Sequence, residues 1–230
     1  MNFSETACAS ARAAVLARIA AARQASATDV RLLAVSKTQP ASAVRALHAA
    51  GQRAFGENYV QEALAKQAEL ADLGLEWHLI GPLQSNKCRE VAEHFDWLQT
   101  LDRAKLVDLL ARHRPAARAP LNVLVQVNID DEASKSGCTP GAVEGLAAAI
   151  AAQPALRLRG LMAIPAPSPD AAVRRAAFAR MRALYDALRT KHRNLDTLSM
   201  GMSDDLDLAI AEGATMVRVG TALFGARAGA

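Results

Sequence analysis

The sequence predicts an α/β fold, a (β/α)8 TIM-type barrel with an extra N-terminal helix, on three observations. Eight short apolar runs are separated by longer Ala/Leu/Glu/Arg-rich stretches with helical spacing. The two textures alternate strictly after the first segment, and eight units is the number that closes a parallel barrel. A doubly wound open sheet also satisfies the alternation, but it usually carries a glycine-rich turn after its first strand, where this chain has Ser36-Lys37-Thr38.

Phe3 to Ala25 contains no proline or glycine and sets Val15, Leu16 and Ile19 on one face, as an amphipathic helix does. The eight strands fall at Arg31 to Val35, Arg53 to Phe55, Glu76 to Ile80, Trp97 to Thr100, Asn122 to Val127, Leu156 to Leu161, Asp196 to Leu198 and Met216 to Val219. Helices are expected at Ala41 to Ala50, Val60 to Leu73, Asn86 to His94, Arg103 to Arg114, Gly141 to Ala152, Ala171 to Lys191 and Asp204 to Glu212. Ser85, Asp102 and Thr139-Pro140 mark helix entrances, and Gly51 and Gly213 stand where helices should stop. No proline- or serine-rich linker interrupts the middle, so residues 1–230 read as a single domain with the helix of residues 1–25 packed on it.

With about half its residues apolar and few aromatics, the chain has ample material for a core of small and aliphatic side chains. The net charge of +4 is modest, and arginines such as Arg12, Arg18, Arg174 and Arg180 recur in helical stretches without aromatic interleaving. That pattern describes solvated helix faces, so no nucleic-acid partner is expected. Cys8, Cys88 and Cys138 are widely spaced and read as free thiols. Neither a signal peptide nor a membrane span is evident, and a cytoplasmic protein is expected.

Polar residues interrupt this texture at the carboxyl ends of the strands. Lys37 follows the first, Glu57 and Asn58 the second, Gly81 and Gln84 the third, and Asn128 the fifth. Ser199 and Gly201 follow the seventh, and Gly220 and Thr221 follow the eighth after Arg218. Singly, Lys37 could end a strand in solvent, Ser199 to Ser203 could be a turn with a helix cap, and Gly220 a tight turn. In a closed barrel they all meet at one mouth, and glycines with hydroxyls after strands seven and eight occupy the common phosphate position of such barrels. His78, inside a strand, reads as a hydrogen-bonded core residue, and the loop Asp130 to Gly137 as a flank of the mouth with Lys135 able to steer an anion.

An uncharged amine attacks a carbonyl to form a Schiff base, and a phosphate cradle across the mouth would hold an aldehyde that carries a phosphate. Pyridoxal 5′-phosphate (PLP) fits that description. A Schiff-base aldolase acting on a sugar phosphate would use the same groups.

Ala34-Val35-Ser36-Lys37, Phe55-Gly56-Glu57-Asn58-Tyr59-Val60-Gln61-Glu62, Trp77 to Lys87, Gly160-Leu161-Met162, Leu198 to Asp204 and Val217 to Gly225 run nearly end to end. With these segments the chain resembles the PLP homeostasis family, single-domain proteins similar to the N-terminal barrel of alanine racemase. The resemblance implies that Lys37 holds PLP as a Schiff base, that Ser199, Gly201, Gly220 and Thr221 bind its phosphate, and that Arg218 faces the pyridine nitrogen. Asn58 would line the ring face or reach the 3-hydroxyl side. It further implies a role in intracellular PLP homeostasis, with PLP-dependent apo-enzymes as recipients and the chain acting as a monomer.

The alternative within the same resemblance is a PLP-dependent amino-acid racemase. A racemase needs two positioned acid/base groups. In alanine racemases the second is a tyrosine from an additional domain of the partner subunit, whereas here six residues follow Phe224, and Tyr59 and Tyr185 are the only tyrosines. A carrier without robust catalysis is therefore the expectation.

Overall fold

Eight parallel strands pair in sequence order and close on themselves, the seam being the pairing of the first with the eighth. The computed structural model describes residues 4–23, 29–130 and 136–225. Its strands are β1 (Arg31–Val35), β2 (Ala54–Glu57), β3 (Glu76–Leu79), β4 (Trp97–Leu101), β5 (Leu121–Gln126), β6 (Leu156–Met162), β7 (Thr197–Ser199) and β8 (Met216–Val219). After α1 (Glu5–Arg23), each strand is followed by one helix: α2 (Ala41–Ala49), α3 (Val60–Glu69), α4 (Cys88–His94), α5 (Ala104–His113), α6 (Val143–Ala151), α7 (Ala171–Lys191), α8 (Leu206–Ala211) and α9 (Thr221–Phe224). The barrel expected from the alternation is thus present, strand for strand. The ends expected at Phe3 and Ala25 lie outside the described residues.

Alternation of side chains along the strands divides the core in two. Leu33 and Val35 of β1 pack inside the barrel with Ala54, Ile80 and Met216, and Trp97, Leu124 and Met162 form a second interior group. Leu32, Phe55, Leu79, Leu98, Val123, Val125, Leu161 and Leu198 point outward into the layer between strands and helices. That outer layer is the larger, as expected for a barrel whose helices each bury one stripe.

Helix ends depart from the caps expected. Ser85 lies within a 3-10 turn, Ser85–Lys87, ahead of α4, and Asp102 accepts from Arg103 Nη1 at 2.7 Å instead of capping α5. Thr139 precedes the 3-10 turn Pro140–Ala142 without a side-chain cap bond. The cap formed by a side chain at α7 is Asp170, whose Oδ1 accepts from the Ala172 N–H at 2.8 Å. Gly51 and Gly213 do stop their helices, with φ of +95° and +92° that glycine alone adopts freely.

α9 is a single turn, too short to cover the seam between β8 and β1. α1 packs against α2, α8 and α9 and fills that place, burying Cys8, Val15 and Ile19. Arg18 of α1 donates to the Ser203 carbonyl at 2.9 Å and pairs with Asp207, so the helix also holds the β7–α8 loop. Cys8, Cys88 and Cys138 are buried free thiols. Among the described residues no helix is long and apolar enough to cross a membrane.

Gly160 marks a bulge where the β5–β6 register shifts. Its φ is +148°, and a Cβ there would lie 1.8 Å from the Thr197 carbonyl oxygen. Gly160→Ala is expected to lower the unfolding free energy by more than about 2 kcal/mol in urea denaturation. Gly145→Ala, on α6 with open space around the added methyl, should instead raise it by about 0.5–1 kcal/mol.

Candidate functional site

β1 ends at Val35 and the chain turns at once, with the Gln39 N–H donating to the Ser36 carbonyl at 3.0 Å and Lys37 and Thr38 at the corner. Thr38 has φ +63°, the one positive value at a non-glycine among the described residues. A β-branched residue there is strained and persists only when its surroundings hold it. The Thr38 N–H donates to Glu62 Oε1 at 2.5 Å. Glu62 Oε1 in turn accepts from Lys66 Nζ, which also donates to the Ser36 carbonyl and to Glu57 Oε1, each at 2.7 Å. The peptide groups on both sides of Lys37 are therefore fixed by the Lys66 ammonium, directly at the Ser36 carbonyl and through Glu62 at the Thr38 N–H.

Glu57 was expected at the mouth, but its side chain lies in the wall between β2 and α3, fully buried and accepting from Ser36 Oγ at 2.6 Å. Its second oxygen has no hydrogen-bond partner. Burial pushes the Glu57 carboxyl up against the opposing pull of Lys66 and Ser36. The residue thus serves the turn that carries Lys37.

Beside that turn, β1, β7 and β8 open into a pocket of about 260 Å³ lined by Lys37, Gln39, Ser203, Asp204, Arg218, Gly220 and Thr221 among others. Lys37 is half-buried and Thr221 exposed, whereas Arg218 is 3% exposed. Arg218 donates from Nη1 to Ser199 Oγ and from Nη2 to the Ala163 carbonyl, both at 2.8 Å. Burial pulls its pKa down to about 10, so the guanidinium stays charged at neutral pH.

Of the residues singled out from sequence, Lys37, Arg218, Gly220 and Thr221 line this pocket, whereas Glu57, Asn58, Gly81, Gln84, Asn128, Ser199 and Gly201 do not. Ser199 is fully buried; its hydroxyl donates to Gln99 Oε1 at 2.7 Å while its oxygen accepts from Arg218. Gly201, at φ +90°, lets α8 approach, since a Cβ would lie 2.5 Å from that of Ala209. Asn58 is half-buried after β2 with its carbonyl against Gly81, where a Cβ would meet it at 2.1 Å. Glu57 lies behind the Lys37 turn, as described.

Ser203, which the sequence offers as part of a turn or cap, lines the pocket, whereas Ser199 does not. The signal was the second serine of Ser199-Met200-Gly201-Met202-Ser203, displaced to the mouth by the turn at Gly201. The loop is held by the Met202 N–H donating to Asp205 Oδ1 at 2.7 Å and by Arg18 on the Ser203 carbonyl. Gln84 and Asn128 stand at other strand ends outside the pocket. Asp130 ties the far rim, accepting from the Ala166 N–H at 2.6 Å and from Arg180 at 2.7 Å, and Lys135 lies outside the described residues.

The donor set suits a phosphorylated aldehyde: an amine for the carbonyl carbon, two hydroxyls and a glycine-containing turn for an anion, and a buried cation for an acceptor atom in between. Among the described residues no group of three or more His, Cys, Asp or Glu is placed to hold a metal.

Residues 11–228 match the family model of the alanine racemase N-terminal domain. A pyridoxal phosphate homeostasis protein of Pseudomonas aeruginosa is 62% identical over 218 residues, 94% of each chain, and one of Escherichia coli is 57% identical over 86% of each. PipY of Synechococcus elongatus, solved with PLP bound, superposes with a TM-score of 0.80 at 43% identity, covering 91% of this chain and 99% of that one. Alanine racemase of Corynebacterium glutamicum shares the fold at 19% identity, with a TM-score of 0.71 over 64% of its length.

Removing the ammonium behind the turn tests its structural weight. Lys66→Met leaves Glu57 and Glu62 without their cation and is expected to cost about 3–5 kcal/mol in urea denaturation. Adding Glu57→Gln to that variant should recover part of the loss, because the buried charge then goes as well.

Proposed function

Because the chain belongs to the family of pyridoxal phosphate homeostasis proteins, we propose that it binds PLP in the β1–β7–β8 pocket and keeps it in reversible covalent linkage to Lys37. The observation that carries this reading is the meeting of Lys37, Arg218, Ser203 and Thr221 around one small pocket. When bound, PLP supplies an aldehyde that condenses with the lysine amine, a C=N bond forming as one water leaves.

The chain's own residues do the rest. The turn clamped by Lys66 and Glu62 aims the Lys37 amine into the pocket. Ser203, Gly220 and Thr221 receive the phosphate, with Gly201 acting through the course of its loop. Arg218, a donor that stays protonated, faces the pyridine nitrogen and discourages its protonation. Ser199 holds Arg218 in place instead of touching the phosphate.

A carrier fits this site better than a racemase does. Tyr185 lies on α7 in the outer layer, its ring 3.1 Å from where a Gly160 Cβ would stand, and burial pushes its hydroxyl up to about 12. Tyr59 is 60% exposed at the start of α3 and does not line the pocket. A half-buried lysine and a reversible bond suit handing PLP to apo-enzymes. In this proposal the monomer is the working unit.

Borohydride reduction of protein incubated with PLP, followed by peptide mass mapping, should place the adduct on Lys37, and Lys37→Ala should lose both adduct and visible absorption band. Wild-type protein that stays colourless and unmodified would overturn the assignment. Arg218→Glu is expected to shift the absorption spectrum toward the protonated-pyridine form. Chiral analysis of alanine incubated with the loaded protein separates carrier from racemase: enzyme-like turnover would favour the latter.

A further inference from the structure

A continuous line of polar side chains crosses the barrel interior and reaches the candidate pocket at one end only. At the floor, where the strands begin, Arg31 Nη2 donates to Glu76 Oε1 at 2.7 Å, and the same oxygen lies 2.7 Å from His78 Nε2. His78 is completely buried, its ring stacked on Trp97 with centroids 5.1 Å apart. His78 Nδ1 lies 2.9 Å from Gln99 Nε2, and the line continues from Gln99 Oε1 through Ser199 Oγ to Arg218.

The direction of each bond follows from the one before. Arg218 can only donate, so Ser199 accepts from it and gives its own proton to Gln99. Gln99 therefore turns its carbonyl to Ser199 and its N–H to His78 Nδ1, with Met216 Sδ a second acceptor at 3.1 Å. Nδ1 must then be bare, and the ring's single proton sits on Nε2, facing a carboxylate. The charged groups around His78 are Glu76 on its own strand, Arg31 on β1 and Asp96 ahead of β4. Burial pulls the His78 pKa down, outweighing Glu76. Burial alone would raise Glu76, but the bonds from His78 and Arg31 hold it below the usual carboxylate range. At neutral pH the column has one arrangement.

We infer that His78 and Gln99 are positioning residues for Arg218, acting through Ser199 from the interior of the barrel. The inference rests on the proposed role of Arg218 as partner of the PLP pyridine nitrogen. A proton on His78 Nδ1, or loss of the ring, lets the Gln99 amide turn over. Ser199 Oγ then faces an N–H from Gln99 as well as one from Arg218, and the guanidinium no longer has an acceptor reserved for it.

The column is tested first in ligand-free, 15N-labelled protein, where the imidazole resonances should report a neutral ring protonated at Nε2 at pH 7. His78→Phe, which keeps an aromatic ring on Trp97, should move the Arg218 side-chain resonances and weaken PLP binding by about tenfold, the share of one hydrogen bond to a charged group. Met162→Leu, an interior change beside Trp97 but off the column, should leave both as in wild type. A ring protonated at Nδ1 in wild type overturns the inference, and that measurement decides even where His78→Phe does not fold. Unchanged Arg218 resonances and unchanged affinity in a folded His78→Phe overturn it too. Wild-type protein that binds no PLP removes the cofactor assignment, while the ligand-free resonances still judge the column.

Discussion

Arg218 carries its charge into the barrel interior, where water is replaced by two neutral oxygens, Ser199 Oγ and the Ala163 carbonyl. A buried cation is costly unless its hydrogen bonds are well made. That requirement reaches far beyond the residue itself. It fixes Ser199 at the end of β7, whose hydroxyl must look away toward Gln99, and so leaves Ser203 of the β7–α8 loop as the serine that lines the pocket. It also keeps a donor, and never an acceptor, at the inner wall of the pocket.

The chain treats its two lysines near the mouth in opposite ways. Lys66 is 5% exposed and locked by three acceptors, so its charge is committed to the wall. Lys37 is half-buried at a turn whose neighbouring peptide groups that wall holds. The strain at Thr38 belongs to the same arrangement: a left-handed threonine is tolerated because Glu62 takes its N–H. Rigidity around the Lys37 turn is thus built from the outer layer inward, with the helix α3 supplying Glu62 and Lys66 at i, i+4 spacing.

Much of the fold was legible because parallel strands buried on both faces leave continuous apolar runs, and these lie within a residue or two of the observed strands. Caps were less legible: Ser85 and Asp102 have the right chemistry but the chain enters α4 through a 3-10 turn and begins α5 one residue later than the aspartate would cap. Lys37, Arg218, Gly220 and Thr221 could be found from strand ends alone. Ser199 and Ser203 could not be told apart, since their difference depends on a turn at Gly201 and on a hydrogen-bond demand from Arg218. Glu57 sat at the right strand end with its side chain on the wrong face, a matter of two-residue periodicity. His78 read correctly as a bonded core residue, while its link to the mouth runs through Gln99, which carries no motif of its own.

α1 has one more consequence, in the order of synthesis. It is made before every element it packs on, α2, α8 and α9, so it has no complete surface to rest on until β7 and β8 have been followed by their helices. The seam between β8 and β1 has the same timing, pairing residues such as Arg31 and Met216 from opposite ends of the chain. Contacts of that sequence separation form late. On the ribosome, the apolar face of α1 with Val15 and Ile19 must wait for α8 and α9, and only then can Arg18 brace the loop bearing Ser203.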